Sequence, residues 1–382
     1  MDCKYQKKCG GCPLRELNTE QYRQTKISHF QDMISHIHQT KICYGEPVFI
    51  ADGNRRRAEL TFKYGKGQLI FGFSARQSHD IVDIFECQAL TPTLNLIIKP
   101  VREFLQKFCV IKQNIKVKNK IETHSITQGK IWLTQVADGV DILLEVNEQL
   151  ALEHRMEICD FVNDNQIIIR FSVKYKNTFA ETVIEKYAPY INISGQQVHI
   201  PAGTFLQPSE AGENALIALV QKYIGENTGN IADLFCGVGT FSYPLAQNIK
   251  NKITAADSSA ELLSAFQQNI NRLMLPNIKI FNKNLFKYPF DSTELKAFDI
   301  IIFDPPRAGA AEQIAEIAAM KEADKAQKIV AVSCNPHTFI NDANTLIKAG
   351  YFIKEITLVD QFVYTEHFEL VALFMKKEGE NL

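Results

Sequence analysis

The 382-residue chain reads as an α/β protein whose C-terminal half is a doubly wound, mostly parallel sheet of seven strands. Two observations predict that sheet. From about residue 230 onward, short apolar runs alternate with helical stretches, the pattern that builds parallel strands with helices on both faces. Three of those runs end in chemically distinctive loops. Ala232-Asp-Leu-Phe-Cys-Gly-Val-Gly-Thr240 enters a glycine loop, Phe298-Asp-Ile-Ile-Ile-Phe-Asp-Pro-Pro-Arg307 ends in an acid and two prolines, and Lys328-Ile-Val-Ala-Val-Ser-Cys-Asn-Pro336 delivers a cysteine into a turn. The carboxyl ends of parallel strands share one edge of a sheet, so glycine loop, acid and thiol converge there.

From the amino end, Leu14, Leu17, Tyr22, Ile27, Phe30, Met33 and Ile34 fall at helical spacing and predict a helix over 14–40. Ala58–Tyr64 and Gln68–Phe73 alternate in polarity around Gly-Lys-Gly, which predicts a hairpin. A helix over 91–108, strands over 125–146, a helix over 147–163 and strands near 166–173, 178–185 and 190–199 complete an α+β first half. In the second half strands are expected at 231–235, 252–256, 278–282, 299–303, 328–333, 352–358 and 367–376, the last two as an antiparallel hairpin. Pro201 and Gly203 punctuate the middle, giving an N-terminal α+β domain over 1–200 and a C-terminal domain over 201–382.

The net charge of −1 hides an asymmetry. Residues 1–130 carry 21 Lys and Arg against 12 Asp and Glu, or +9, while residues 131–382 carry 21 against 31, or −10. Such asymmetry marks a basic binding module joined to a differently charged one. Arg55, Arg56, Arg57, Lys63, Lys66 and Arg76, interleaved with Phe62, Tyr64, Phe71 and Phe73, and the stripe Lys112, Lys116, Lys118 and Lys120 are the candidate phosphate and base contacts. No run approaches 18 apolar residues, and the start Met1-Asp-Cys-Lys-Tyr-Gln-Lys-Lys lacks a secretory pattern, so a cytoplasmic protein with no membrane span is expected. No obligatory protein partner is implied. Nine cysteines without a secretion signal point to metal binding or catalysis rather than disulfides. Cys3-x5-Cys9-Gly-Gly-Cys12 reads as a metal site whose glycines permit a tight turn and leave N–H groups for sulfur. On spacing alone, zinc held by four thiolates stays open.

Gly237 and Gly239 follow a strand, and Asp257 stands 18 residues after Gly239, where an acid accepts hydrogen bonds from a ribose diol. A dinucleotide fingerprint wants a third glycine where this chain has Ser242, and the Asp-Pro-Pro element favours S-adenosylmethionine as the cofactor. Cys334, in a polar turn at the carboxyl edge, is the candidate nucleophile, whereas Cys236 reads as a packing residue. Glu369 puts a charge into the apolar run Phe368-Glu-Leu-Val-Ala-Leu-Phe374, which is costly unless it is paired or functional, and Glu366 and His367 have similar local claims.

The set Phe205-Leu-Gln207, Asp233-Leu-Phe-Cys-Gly-Val-Gly239, Asp304-Pro-Pro-Arg307, Ser333-Cys-Asn-Pro336 and His367-Phe-Glu369 resembles the RNA uracil-5-methyltransferase family, in the family's order and over nearly the whole chain. The resemblance implies Cys334 as nucleophile, Glu369 as base, and Gln207, Phe235, Asp257 and Asp304 lining the S-adenosylmethionine site. It also implies a 4Fe–4S cluster on Cys3, Cys9 and Cys12 with Cys87 as fourth ligand, as in the ribosomal RNA members, and hence 23S ribosomal RNA as substrate. A tRNA T-loop uridine methyltransferase is the alternative, because Arg55-Arg-Arg-Ala-Glu59 also looks like the tRNA enzymes; a non-catalytic ribosome-assembly factor is another. The chain departs from the family pattern at Ser209, where an asparagine is usual, and at Asn284, where an acid is common.

Overall fold

A computed structural model describes residues 3–78, 80–117, 120–176, 178–226 and 228–377. In chain order its elements are α1 (Thr19–Ile34), β1 (Val48–Phe49), β2 (Arg57–Gly65), β3 (Gln68–Ser74), β4 (Ile81–Asp83), α2 (Pro92–Phe108), β5 (Gln113–Val117), β6 (Lys120–His124), β7 (Gln128–Val136), β8 (Gly139–Val146), α3 (Leu152–Asp164), β9 (Ile168–Tyr175), β10 (Ala180–Glu185), β11 (Tyr190–Ile193) and β12 (Gln196–His199). Then follow α4 (Glu210–Ile224), β13 (Asn230–Leu234), α5 (Ser242–Ala246), β14 (Lys252–Asp257), α6 (Ala260–Arg272), β15 (Ile278–Asn282), α7 (Ser292–Leu295), β16 (Ile300–Phe303), α8 (Ala311–Ala319), β17 (Lys328–Ser333), α9 (Pro336–Lys348), β18 (Tyr351–Asp360) and β19 (Glu369–Lys376).

The chain divides into two units. The first holds Met1–Arg15, Ala51–Ile191 and His199–Ser209; the second holds Glu16–Ile50, Asn192–Val198 and Glu210–Leu382. The sequence predicts a single boundary near residue 200, whereas residues 16–50 pack with the second unit. The reason is the buried face of α1: Phe30, Met33 and Ile34 join the core of that unit's sheet.

In the first unit a seven-stranded sheet runs β10-β9-β8-β7-β2-β3-β4. Its pairs are antiparallel except β8 with β9. Ala58, Leu60 and Phe62 alternate inward along β2, as period two requires. Lys66 (φ 51°) and Gly67 (φ 78°) turn the predicted hairpin with both central residues left-handed, the geometry that matches strand twist. Phe104 of α2 stacks on Phe161 of α3 at 4.6 Å and meets Phe171 of β9 edge-on at 5.5 Å. The hairpin β5–β6 was not foreseen as strands. The side chains of Lys116, Lys118 and Lys120, read as part of a basic stripe, lie outside the described residues.

In the second unit the sheet has eight strands, not seven, in the order β1-β18-β19-β17-β16-β13-β14-β15. The five from β17 to β15 are mutually parallel, and β19 lies antiparallel between β17 and β18, as the sequence predicted for the last two runs. The added strand is β1, two residues pairing in parallel with the end of β18 and too short to leave a periodic signal. The helix expected over 14–40 is shorter because Asn18 and Gln21 form a capping box that fixes its start. The single strand expected over 190–199 is instead two strands, β11 and β12, about a turn at Ser194 (φ 48°) and Gly195 (φ 82°). Among the described residues no helix is long and apolar enough to cross a membrane.

Candidate active site

The second unit brings the three predicted loops and Asp257 to one edge of its sheet. β13 runs out at Leu234, and Phe235 (φ 61°), Gly237 (φ 53°) and Gly239 (φ 91°) carry the chain through a left-handed loop. At Gly239 a Cβ would sit 2.5 Å from the Phe266 ring, so glycine here serves close packing of α6 as well as backbone conformation. Asp257, at the end of β14, accepts the Gly237 N–H on Oδ2 at 3.0 Å and the Ser259 N–H on Oδ1 at 2.9 Å. The acid is thus fixed against the glycine loop. Phe235 lies 5.4 Å from Phe286, ring to ring. Asn284 accepts the Phe286 N–H at 3.1 Å, so at the position of the family's acid it acts as a turn cap.

Ser242, the residue in place of a third glycine, donates its hydroxyl to Asp233 Oδ2 at 2.6 Å. Asp233 is 1% exposed and its Oδ1 has no hydrogen-bond partner among the described residues. Burial pushes its carboxyl up to about 7. Burial, then the charge of Asp233, likewise pushes Asp304 up to about 7.

β16 pairs in parallel with β17, which places Asp304, just past Phe303, beside the exit of β17. There Ser333 and Asn335 bracket Cys334. The Ser333 hydroxyl accepts the Asn335 N–H at 3.2 Å, the Asn335 side chain caps α9 through His337 N–H, and Asn335 Nδ2 donates to the Arg307 carbonyl at 2.8 Å. The Ser-Cys-Asn-Pro turn is therefore tied to the Asp-Pro-Pro-Arg loop. β17 pairs antiparallel with β19 with Ser333 opposite Leu370, so one step further sets Cys334 beside Glu369. That register is what joins a cysteine and a glutamate 35 residues apart in sequence.

Glu369 is 4% exposed; Gln361 Nε2 donates to its Oε1 at 3.2 Å and its Oε2 has no partner among the described residues. Burial, then the charge of Asp304, holds its carboxyl well above the usual range. Cys334 is half-buried, and burial, then the charges of Glu369 and Asp304, pushes its thiol up to about 12. Acids with unmet lone pairs and a proton-holding thiol form an edge suited to a cationic ligand, which would draw these groups toward ionisation. Gln361 was not foreseen from sequence, although a polar residue directly after the buried strand end at Asp360 was the available signal. Phe286 was missed for want of any motif.

Gln207 belongs to the first unit, where its carbonyl accepts Arg56 Nε at 3.0 Å. Arg56 is 5% exposed, and Arg57 lies 5.7 Å from the Trp132 ring and 5.1 Å from the Phe205 ring while donating to the Leu206 carbonyl at 3.3 Å. Burial beside Arg56 lowers Arg57 to about 10. These two arginines, read from sequence as phosphate contacts, hold the 205–207 segment instead. Phe62 and Phe71 are core residues, while Lys63, Lys66 and Arg76 are exposed.

Also in the first unit, Cys3, Cys9, Cys12 and Cys87 line one cavity of about 110 Å³. The Gly11 N–H points to Cys9 Sγ at 3.4 Å, and Arg15, paired with Asp52 at 2.6 Å, reaches Cys12 Sγ at 3.8 Å. Burial foremost, with the neighbouring thiols, raises Cys9 and takes Cys87 up to about 11. Among the described residues no three His, Cys, Asp or Glu side chains are arranged around a single metal ion.

Fold and site define a class: a doubly wound α/β unit that gathers a glycine loop, an acid, a cysteine and a buried glutamate at one sheet edge. Comparison with known proteins gives the family. The model of the tRNA (uracil-5-)-methyltransferase family matches residues 21–377, and the chain belongs to that family of S-adenosylmethionine-dependent RNA methyltransferases. An RNA methyltransferase of Caulobacter vibrioides is 33% identical over 98% of this chain and 85% of its own. The 23S rRNA (uracil(1939)-C(5))-methyltransferase RlmD of Haemophilus influenzae is 27% identical over 98% of this chain and 82% of its own. The crystal structure of Pyrococcus abyssi tRNA (uracil-54, C5)-methyltransferase in complex with S-adenosyl-L-homocysteine shares the fold, with a TM-score of 0.71, 22% identity, and coverage of 96% of this chain and 86% of that one.

Proposed function

We propose that the protein methylates C5 of a specific uridine in 23S ribosomal RNA, with Cys334 as nucleophile and Glu369 as base. The observation that carries this reading is the β17–β19 register, which sets the thiol beside a buried, half-satisfied carboxylate. C5 of uracil is too weak a nucleophile to take up a methyl group unaided. Cys334 gives up its thiol proton to solvent as a bound cationic cofactor favours the thiolate, Sγ adds to C6, and the C5–C6 electron pair moves into an enolate. S-adenosylmethionine, when bound, supplies the methyl group that C5 takes up. Glu369 then removes the C5 proton, the returning electron pair expels Cys334 as thiolate, and the C5–C6 double bond is restored. Gly237, Phe235, Asp257 and Asp304 would hold the cofactor; Asp233 Oδ1, without a partner among the described residues, suits its positive charge.

The four thiols line one cavity, and the family resemblance of their spacing favours a 4Fe–4S cluster over zinc. In this reading Cys3, Cys9, Cys12 and Cys87 hold a 4Fe–4S cluster that would tie the N-terminus to the first unit's strands and shape an RNA-binding domain. A structural cluster leaves turnover independent of added reductant; reduction-dependent activity would overturn that role. The ribosomal substrate is favoured over tRNA by this cysteine set and by the match to RlmD over 98% of the chain. An RNA-modifying enzyme of this kind works in the cytoplasm. Anaerobically purified protein, incubated with labelled S-adenosylmethionine and unmodified 23S or tRNA transcripts, should transfer label to the ribosomal transcript alone, and Cys334→Ala should transfer none. Transfer to tRNA instead would keep the chemistry and overturn the substrate. No transfer to either would bring forward a non-catalytic assembly factor.

A further inference from the structure

One buried ionic group in the second unit has no part in the chemistry above. Lys26 on α1 is 1% exposed and Asp360, the last residue of β18, is 0% exposed. Lysine is rarely buried to that degree unless it is paired. Its Nζ lies 2.8 Å from Asp360 Oδ1 and also donates to the carbonyl of His367. Tyr22, one turn earlier on α1, donates its hydroxyl to Asp360 Oδ2 and accepts the Tyr364 N–H at 2.9 Å.

These interactions all fall on the segment joining β18 to β19. Asp360 opens it, Tyr364 is its middle, and His367 stands two residues before Glu369. Gln361, directly after Asp360, is the residue that donates to Glu369 Oε1 at 3.2 Å. The segment therefore carries Glu369 at one end and its hydrogen-bond donor at the other, and two side chains of α1 grip it at start, middle and end. A buried ion pair adds little net stability over a well-packed apolar pair of the same volume, so holding the fold together does not account for it.

We propose that Lys26, with Tyr22 and Asp360, is a positioning residue that holds the β18–β19 segment so that Glu369 keeps the orientation proton removal requires. The inference rests on the assignment of Glu369 as base. Lys26 touches no reacting group; it acts through the backbone at His367 and through Asp360, which fixes the start of the segment next to Gln361. This also gives α1 a role in the enzyme unit: residues 16–50 supply the clamp.

A misplaced base has a signature that a merely weakened fold lacks. Addition of Cys334 and uptake of the methyl group proceed, but elimination stalls, so protein stays covalently joined to methylated RNA. The test compares wild type, Glu369→Gln, Lys26→Met and Lys26→Met/Asp360→Asn on natural-sequence RNA. It measures turnover, the KM for RNA and the fraction of RNA–protein complex that survives denaturing electrophoresis. The double variant leaves no unpaired buried charge, and Tyr22→Phe, which removes one hydroxyl and no charge, keeps the test open should both Lys26 variants fail to fold. Expected for each Lys26 variant is a fall in turnover of about 100-fold, the scale of a small misplacement of a reacting group. KM should be unchanged, and covalent complex should accumulate as in Glu369→Gln. Tyr22→Phe should shift both readouts in the same direction. Unchanged turnover, or lost turnover without covalent complex, would overturn the proposal. If Glu369→Gln itself traps no complex, the base assignment fails and this inference falls with it.

Discussion

Asp233 sits in an environment far from what its side chain prefers in water. Its carboxyl, 1% exposed with one oxygen unpartnered, is pushed from 3.8 up to about 7 by burial. A carboxyl whose pKa is raised on folding binds its proton more tightly in the native state. Its contribution to stability is therefore full below pH 4 and is lost as pH rises toward 7. Asp233→Asn keeps an acceptor for the Ser242 hydroxyl and removes the charge. The variant should be more stable than wild type at pH 8, by up to ~4 kcal/mol, and no more stable at pH 4. Thermal unfolding without cofactor at the two pH values checks this; equal gains at both would contradict it. The same variant should bind S-adenosylmethionine more weakly, since a stabilising deletion at a ligand site is the usual exchange of stability for function. The sequence marked Asp233 only as part of a motif, because burial depth is a tertiary property. Lys26 was illegible for the same reason: nothing local distinguishes a buried lysine from a solvated one.

At the scale of elements, the glycine loop after β13 joins backbone conformation to packing. Gly239 combines a φ of 91° with a Cβ position 2.5 Å from the ring of Phe266 on α6. Gly239→Ala should cost about 2–4 kcal/mol through strain and overpacking together, and should weaken S-adenosylmethionine binding more than tenfold by displacing the loop that Asp257 anchors. Equilibrium unfolding and calorimetric titration measure the two effects; a variant that binds normally would show that the loop is not the cofactor cradle. Sequence patterning located the long strands β13 to β19 because continuous apolar runs bounded by loop signals are strong local evidence. It did not find β1, with two residues, or β5–β6, and it fused β11 with β12. The β17–β19 register was also beyond it. Each motif was visible, but the pairing that sets Cys334 beside Glu369 exists only in the sheet.

For the molecule as a whole, the basic N-terminal portion was legible from composition, but the division of labour among its arginines was not. Arg56 and Arg57 hold the segment that carries Gln207, whereas Lys63, Lys66 and Arg76 face solvent. Reversing the three exposed charges should weaken RNA binding and flatten its salt dependence, by about one unit of slope for each phosphate no longer neutralised. Arg56→Ala should lower thermal stability instead. Filter binding between 50 and 200 mM salt separates the two classes, and an unchanged slope for the triple charge reversal would remove this face from the RNA surface.

In the proposed reaction Cys334 joins the uracil ring covalently at C6 while C5 takes up the methyl group and Glu369 takes the proton. RNA carrying 5-fluorouridine at the target tests it most directly, because fluorine at C5 cannot leave as a cation and the last step is blocked. With S-adenosylmethionine present, mass spectrometry of the digested complex should find the Cys334 peptide bearing a methylated fluorouridine. A methylated nucleotide attached elsewhere, or methylated RNA with no protein adduct, would contradict the account.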